Sequence, residues 1–276
     1  MQNYLKKSAA LLCAILFYSS CSEISPVIPA LGPQDSGDRK VLIEEFTGVT
    51  CVNCPAGAAK IGELIALNNK NIIAVSIHSG EFSDPTSHNL YDFRTEEGDN
   101  LSDYLGSPIG YPSAVINRKK YPSESSLQVN SLTSWAGYSS EELSKSAQMT
   151  LVVENEYITS SRTLNITIRG TALSNLGSDN SLSVLITESN IIDYQYTPEG
   201  GKNDYEHKHV LRKYLTPFNG AAITDALQTG KVIERTFSIV LPNEWNAANC
   251  DVVAFVHKTA NDNKEVIQVE EAAVVE

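Results

Sequence analysis

Residues 42–60 read LIEEFTGVTCVNCPAGAAK, and this stretch decides how the first half of the chain folds. An apolar run typical of a strand leads into Cys51-x-x-Cys54, and an alanine-rich run typical of a helix follows at once. The pair therefore lies where a helix begins, and there the free backbone N–H groups and the helix dipole stabilise a thiolate. A thiol of lowered pKa is a nucleophile near neutral pH, so this junction indicates thiol–disulfide chemistry.

The residues after the pair predict a strand–helix–strand unit. Apolar residues in 55–68 recur at helical spacing, and residues 71–79 form the continuous β-branched run of a buried parallel strand. A polar loop over 80–94 and a short helix from residue 95 are expected next. Further on, Tyr111-Pro112 precedes another strand-like run and is a candidate cis peptide, because an aromatic residue before proline favours the cis form.

The pattern changes near residue 147, after a mostly helical run over 125–146. From there the residues alternate between apolar and polar, and turn-rich stretches separate the runs. We predict an antiparallel immunoglobulin-like β-sandwich of about seven strands for residues 147–276. The predicted strands cover residues 148–157, 163–172, 181–192, 210–214, 231–241, 251–258 and 265–269.

The N-terminus has the features of an export signal. Lysines precede a short apolar run in residues 1–20, and that run is too short to span a bilayer. Small residues before Cys21 resemble a bacterial lipobox, so we predict that Cys21 is acylated and anchors the protein to a membrane. Ordinary cleavage to a soluble periplasmic product is the alternative. Residues 21–38, with three prolines and two glycines, are predicted to be a flexible tether.

Charge and cysteine usage narrow the function further. The net charge of −12 argues against non-specific nucleic-acid binding, which needs a basic face. Cys13 lies in the predicted signal, Cys21 would carry lipid, and Cys250 lies in a strand-like run typical of a buried structural cysteine. Cys51 and Cys54 remain as the pair that is close in sequence, and an oxidising compartment permits a disulfide between them.

Residues 40–146 resemble the thioredoxin superfamily. The strand that leads into the CxxC pair and its helix, the buried strand at 71–79 and Pro112 before a later strand occur in that fold's order. Glu45-Phe46 precedes Cys51 at the offset of six at which Asp-Phe precedes the first cysteine of thioredoxin. We therefore expect an α/β plus all-β chain, with a thioredoxin-like domain over residues 39–146.

The resemblance implies a role for each residue near the pair. Cys51 is expected to be the exposed attacking thiolate, and Cys54 to resolve the mixed disulfide. Glu45 is expected to be a partly buried acid that takes a proton from the second thiol, because burial raises a carboxyl pKa toward the working range. An exposed strand carboxylate is the alternative for Glu45. Tyr111 and Pro112 are expected to line the substrate groove.

Other interpretations of the pair stay open. Val52-Asn53 stands where thioredoxin has Gly-Pro, so the direction of the reaction is undetermined. An inert disulfide that staples the start of the helix is credible in an exported protein. No second CxxC or histidine pair lies nearby at matching spacing, so no metal site and no cofactor are predicted. His78 and His88 are interpreted as loop contacts, and His207 and His209 as packing or surface residues on one strand face.

A narrower resemblance covers nearly all of the predicted mature chain. The lipoprotein signal, EEFTGVTCVNCP, GYPSAVINR, YEHKHVLR and DVVAFVHK are similar to the Omp-twenty-eight-related lipoproteins of Bacteroidetes. That resemblance implies an outer-membrane lipoprotein of the cell envelope. Two functions are compatible with it. The first is a membrane-tethered thiol–disulfide oxidoreductase acting on exported protein thiols or disulfides. The second is a non-catalytic surface lipoprotein or adhesin whose β-sandwich binds a partner.

Overall fold

A computed structural model of the chain describes residues 38–260 and 262–275. The predicted signal, Cys21 and all but the last residue of the predicted tether lie outside the described residues. Within those ranges the fold is mostly β, and no helix there is long and apolar enough to cross a membrane.

Strands outnumber helices among the described residues. The helices are α1 (Cys54–Leu67), α2 (Glu96–Leu105) and α3 (Leu132–Leu143). The strands are β1 (Val41–Thr47), β2 (Ile72–His78), β3 (Ser113–Ile116), β4 (Met149–Ile158), β5 (Thr163–Ala172), β6 (Asn180–Glu188), β7 (Ile191–Thr197), β8 (Gly200–His207), β9 (Val210–Tyr214), β10 (Ala221–Ile223), β11 (Val232–Val240), β12 (Cys250–Lys258) and β13 (Val266–Ala273).

The predicted strand–helix–strand unit is confirmed. β1 and β2 pair in parallel with Val41 opposite Ile72, and α1 connects them. Every residue of both strands is buried, because both faces of this part of the sheet are covered. β3 pairs antiparallel with the other side of β1, so β1 is a central strand.

The start of β1 is held by a strand from the far end of the chain. Gln268 of β13 donates from its amide nitrogen to the carbonyl oxygen of Asp38, at 3.0 Å. Its amide oxygen accepts from the backbone N–H of Lys40, also at 3.0 Å. The chain is therefore fixed in place as it enters the sheet.

One sheet draws strands from both sides of the predicted boundary between residues 146 and 147. Its order is β13-β12-β6-β9-β2-β1-β3, with β10 beside β6. The link is the parallel pairing of β2 with β9 at Ser76 and Val210. Residues on both sides of the boundary belong to one compact unit.

A second, antiparallel sheet has the strand order β11-β5-β4 and packs on one face of β6 and β12. Residues of β5 alternate between buried and partly exposed, as a strand with one covered face requires. Its inward side chains share a core with those of β6 and β12, including Ile168, Val184 and Val252. Packed antiparallel strands were expected here, but β6 and β12 also continue the mixed sheet.

The strand prediction over 181–192 is wrong, because two strands occupy it. β6 ends at Glu188, and β7 begins at Ile191 after Asn190 adopts a left-handed backbone with φ of 58°. β7 then pairs with β8, which the sequence presented as a turn because it contains glycines and charged residues. These two strands form a separate hairpin, called here the β7–β8 hairpin, with β7 from Ile191 and β8 to His207.

Helices α2 and α3 follow the sequence signals closely. Thr95 caps α2 by accepting a hydrogen bond from the backbone of Gly98, as predicted for a helix from residue 95. Ser131 caps α3 in the same way. The helical prediction over 125–146 holds only for residues 132–143, because residues before Ser131 pair with β3 through Ala114 and Val129.

Candidate functional site

The two predicted cysteines form a disulfide at the junction of a loop and a helix. Cys54 is the first residue of α1, Pro55 follows it in the first turn, and the Cα atoms of Cys51 and Cys54 are 5.4 Å apart. Cys51 is only 3% exposed and Cys54 only 2%. The expectation of an exposed Cys51 is therefore wrong in this oxidised state. The third described cysteine, Cys250, is free and buried, as predicted.

The β7–β8 hairpin covers Cys51. The Gln195 side chain donates hydrogen bonds to the carbonyl oxygens of Gly48, at 3.1 Å, and of Cys51, at 3.0 Å. The backbone N–H of Tyr196 donates to the carbonyl oxygen of Val49 at 2.9 Å. The sequence did not indicate the contact between the hairpin and Cys51, because Gln195 and Cys51 are 144 residues apart.

Glu45 is almost fully buried, whereas the resemblance implied partial burial, and the alternative of an exposed carboxylate is wrong. It is 1% exposed, and the Ser76 hydroxyl donates to its Oε2 at 3.1 Å. Its Oε1 has no hydrogen-bond partner. Burial raises the Glu45 pKa to about 8, although the Ser76 hydrogen bond lowers it in part. The carboxyl group is therefore mostly protonated at neutral pH.

Glu45 and Pro112 both lie close to Gly57, which follows Cys54 by three residues. A Cβ placed on Gly57 would lie 2.5 Å from Glu45 Oε1 and 2.9 Å from Pro112 Cβ. Only glycine allows α1 to approach both groups this closely. The Tyr111–Pro112 peptide is cis, which confirms the sequence prediction. The Tyr111 hydroxyl donates to the carbonyl oxygen of Ser79 at 3.0 Å, so the ring is held beside the proline.

Two concave regions flank α1. The first, called here the α1–β8 cleft, has a volume of about 400 Å³ and lies between α1 and the β7–β8 hairpin. Glu45, Cys54, His78, Tyr205 and His207 line it, together with other residues of α1 and β8.

The second, called here the Pro112 groove, has a volume of about 520 Å³. Asn53, Ala56, Ile109, Tyr111 and Pro112 line it. Tyr111 and Pro112 thus lie together as predicted, but neither cysteine is among the described residues that line this groove.

Two histidines of the cleft are buried and electrically neutral. Burial lowers the pKa of His207 to about 4 and that of His78 well below its ordinary value. The Phe93 ring lies against both imidazoles, with centroid distances of 4.9 Å to His78 and 4.8 Å to His207. His78 Nδ1 and His207 Nε2 have no hydrogen-bond partner. The sequence analysis interpreted His78 as a loop contact and His207 as a packing or surface residue, whereas His78 ends β2, His207 ends β8 and both line the cleft.

The other histidines lie in different settings. His209 has a left-handed backbone with φ of 55° between β8 and β9, so the prediction that it shares a strand face with His207 is wrong. His88 lies in the polar loop, is exposed and stacks on Tyr194 of β7. Among the described residues, no group of three His, Cys, Asp or Glu side chains could hold a metal ion.

Comparison with known families decides where this chain belongs. The sequence pattern of the outer membrane protein Omp28 family matches residues 99–276, which is more than half of the chain. The chain belongs to the Omp28 family. Family membership confirms the predicted location in the outer membrane of the cell envelope. The matched residues include Pro112 and the whole β7–β8 hairpin, and they begin after Glu45 and the disulfide.

Solved structures provide a fold comparison for this Omp28-family chain. HBP35 of Porphyromonas gingivalis is 17% identical, with a TM-score of 0.65 over 86% of this chain and 76% of that one. A domain of the outer membrane lipoprotein Omp28 from the same organism is 21% identical, with a TM-score of 0.30 over 46% of this chain and 88% of that one. The first similarity shows a shared fold. No curated protein matches this chain in sequence.

Proposed function

We propose that this Omp28-family chain is a membrane-tethered thiol–disulfide oxidoreductase-like lipoprotein that uses Cys51 and Cys54 on exported protein clients. The observation that carries the proposal is Glu45. It is a buried carboxyl group without an ionic partner among the described residues, and it shares the α1–β8 cleft with Cys54. A group that can donate and accept a proton near neutral pH beside a disulfide is suited to proton transfer during exchange.

We propose further that residues 39–146 are a thioredoxin-like domain and residues 147–276 an immunoglobulin-like β-sandwich. Three features support the first part: the parallel β1–α1–β2 unit, the disulfide at the start of α1, and the cis Pro112 immediately before β3. The packing of the β11-β5-β4 sheet on β6 and β12 supports the second. Lipid attachment through Cys21 would tether both.

The reaction from the oxidised form has two exchange steps. A client thiolate attacks Cys51 Sγ, the bond between the two protein sulfurs breaks, and Cys54 leaves as a thiolate that takes a proton from Glu45. A second client thiolate attacks the client sulfur of the mixed disulfide. A client disulfide forms, and Cys51 leaves as a thiolate. Two client thiols are oxidised while the protein disulfide is reduced, and the reverse sequence reduces a client disulfide.

Access to Cys51 requires movement of its cover. Gln195 holds the Cys51 carbonyl oxygen, and Cys51 is almost fully buried, so a protein client has to displace the β7–β8 hairpin locally. The Pro112 groove is the surface on which we expect the client chain to lie, with Tyr111 and Pro112 in contact with it. Exposed Ile109, at 92% exposure, offers that groove an apolar rim.

Insulin reduction tests the proposal. The mature chain with dithiothreitol should accelerate insulin precipitation, and the Cys51→Ser variant should not, because it lacks the attacking sulfur. Refolding of a scrambled disulfide substrate provides a second readout for the same two proteins. Equal inactivity of wild type and Cys51→Ser in both assays would contradict the proposed activity.

A second function is favoured by the burial of both cysteines. In that alternative the chain is a non-catalytic surface lipoprotein, the disulfide staples the start of α1, and the β-sandwich binds a partner. Alkylation after mild reduction separates the two functions. A reduced Cys51 with the reactivity of an ordinary buried thiol would favour the staple, and rapid reaction near neutral pH would favour the enzyme.

A further inference from the structure

Three residues that line the α1–β8 cleft each have a buried polar atom without a hydrogen-bond partner. The atoms are Glu45 Oε1, His78 Nδ1 and His207 Nε2, and their residues are 1%, 3% and 4% exposed. Buried polar atoms in folded proteins are nearly always hydrogen-bonded. These unsatisfied polar groups make the cleft a candidate site for a polar occupant, which would reach them through side-chain rotation.

The lining of the cleft selects the chemistry of that occupant. Its floor is uncharged at neutral pH, because Glu45 is protonated and the imidazoles of His78 and His207 are neutral. Its rim carries both signs of charge, since Lys208 Nζ lies 3.4 Å from Glu206 Oε2. A small molecule of amino-acid type matches this lining. Its uncharged polar end would lie inside the cleft, and its ammonium and carboxylate groups would lie at the rim.

The wall formed by α1 leaves room for such a molecule. The side of the helix that faces the cleft carries Pro55, Ala58, Ala59 and Gly62, which follow helical spacing and have short side chains. Cys54 lies in the same wall, at the inner end of the helix. A small molecule in the cleft therefore lies beside Cys54.

We propose that the α1–β8 cleft admits low-molecular-weight thiols of amino-acid type to Cys54, so that the disulfide exchanges with small thiols from this side of α1. This inference rests on the proposed redox function of the pair. It assigns the two sides of the helix to different reactants. The proposed function assigns protein clients to the Pro112 groove, and we assign small thiols to the cleft because Cys54 is among the residues that line it.

The exchange balances in two steps. The thiolate of the small molecule, whose proton has gone to water, attacks Cys54 Sγ. A new disulfide forms there, the bond to Cys51 breaks, and Cys51 leaves as a thiolate that water protonates. A second small thiolate attacks the sulfur of the bound small molecule, which leaves as a symmetric disulfide. Cys54 departs as a thiolate and takes the proton of Glu45, and Glu45 then regains a proton from water. Two small thiols are oxidised and one protein disulfide is reduced.

Two matched substitutions on α1 test this assignment. Ala58 lines the cleft and Ala56 lines the Pro112 groove, so Ala58→Leu and Ala56→Leu place the same side chain on opposite sides of one helix. The mature chain is incubated with L-cysteine, and mass spectrometry after alkylation measures the rate of disulfide reduction. Ala58→Leu should slow this reduction by about tenfold. Ala56→Leu should leave the rate with L-cysteine unchanged and slow insulin reduction.

A second cleft variant and an adduct experiment complete the design. Ala59→Leu narrows the cleft at a more exposed position and should also slow the reaction with L-cysteine, even if Ala58→Leu fails to fold. The Cys51→Ser variant incubated with L-cystine should acquire a cysteine adduct on Cys54. Circular dichroism of each variant establishes that it is folded.

The outcomes separate this inference from the function on which it rests. Equal rates with L-cysteine in wild type and the folded cleft variants, or no adduct on Cys54, would overturn the cleft assignment. Insulin reduction by wild type would then still support the oxidoreductase. A protein inactive on both L-cysteine and insulin would overturn both proposals and leave the structural staple.

Discussion

Glu44 and Glu45 are neighbours on β1, and both are buried, but they face opposite sides of the sheet and have different partners. Arg118 donates to both oxygens of Glu44, at 2.8 Å and 2.6 Å. Glu45 accepts one hydrogen bond, from Ser76, and keeps one oxygen unpaired. The charge of Glu44 is balanced within the core, whereas Glu45 remains a neutral acid beside the disulfide. Burial alone therefore does not decide whether a carboxyl group carries a charge, and the presence of an ionic partner does.

The largest expected effect comes from removing the charge of Glu44. Glu44→Gln leaves the Arg118 guanidinium buried, 1% exposed, without its counter-ion. We expect the free energy of unfolding to fall by about 3–5 kcal/mol, the usual cost of breaking a buried ion pair. Urea unfolding of Glu44→Gln beside Glu45→Gln measures the difference. A similar small loss in both variants would contradict the distinction between the two glutamates.

The next effect concerns the pH dependence of stability. The Glu45 pKa rises from 4.5 in the unfolded chain to about 8 in the folded protein, so between these values the folded state holds the extra proton. Stability from this group is complete below pH 4.5 and is lost as the pH rises toward 8, at up to about 1.4 kcal/mol per pH unit. Glu45→Gln mimics the protonated form and should remove this slope. Urea midpoints at a series of pH values provide the measurement, and an unchanged slope would count against a neutral Glu45.

The disulfide, on the Glu45 side of the sheet, should contribute moderately to the free energy of unfolding. Replacing Cys51 and Cys54 with alanine opens a very short loop, so the chain-entropy estimate is a loss of about 2 kcal/mol. Thermal unfolding of the double variant, with Cys250→Ala as a control for a buried thiol outside the pair, measures it. No loss in the double variant would remove the support for a stapling role.

The smallest expected effect comes from Ser76, the hydrogen-bond partner of Glu45. Ser76→Ala removes the hydrogen bond that lowers the Glu45 pKa, so the pKa should move further upward. The stability cost should be about 1 kcal/mol, the usual net value of one hydrogen bond. The pH at which the stability slope ends should shift upward relative to wild type. A downward shift would show that Ser76 does not stabilise the ionised carboxylate.

Local signals in the sequence predicted much of this site. The apolar run before the CxxC pair, the alanine-rich helix and the β-branched run of β2 each depend on neighbouring residues, and all three are confirmed. The cis peptide before Pro112 and the cap at Thr95 are equally local. The resemblance to thioredoxin implied a partly buried Glu45, and the structure buries this residue almost completely.

The remaining features depend on contacts between distant parts of the chain. β2 joins β9 through a single register pair, Ser76 and Val210, which no local pattern reveals. The charged and glycine-rich residues of β8 are typical of a turn, and only pairing with β7 makes them a strand. That same hairpin is hydrogen-bonded to the loop that carries Cys51, which is only 3% exposed, contrary to the prediction.

The way the chain enters the sheet has a mechanical consequence. Residue 38, at the end of the predicted tether, leads directly into β1, which lies between a parallel and an antiparallel neighbour. A pull along the tether acts parallel to the strand and across its hydrogen bonds, so β1 is loaded in shear and its bonds share the force. The two hydrogen bonds that the Gln268 side chain makes with Asp38 and Lys40 bear the pulling force first. With the proposed lipid anchor at Cys21, a pull from the membrane would therefore load β1 in its mechanically strong direction.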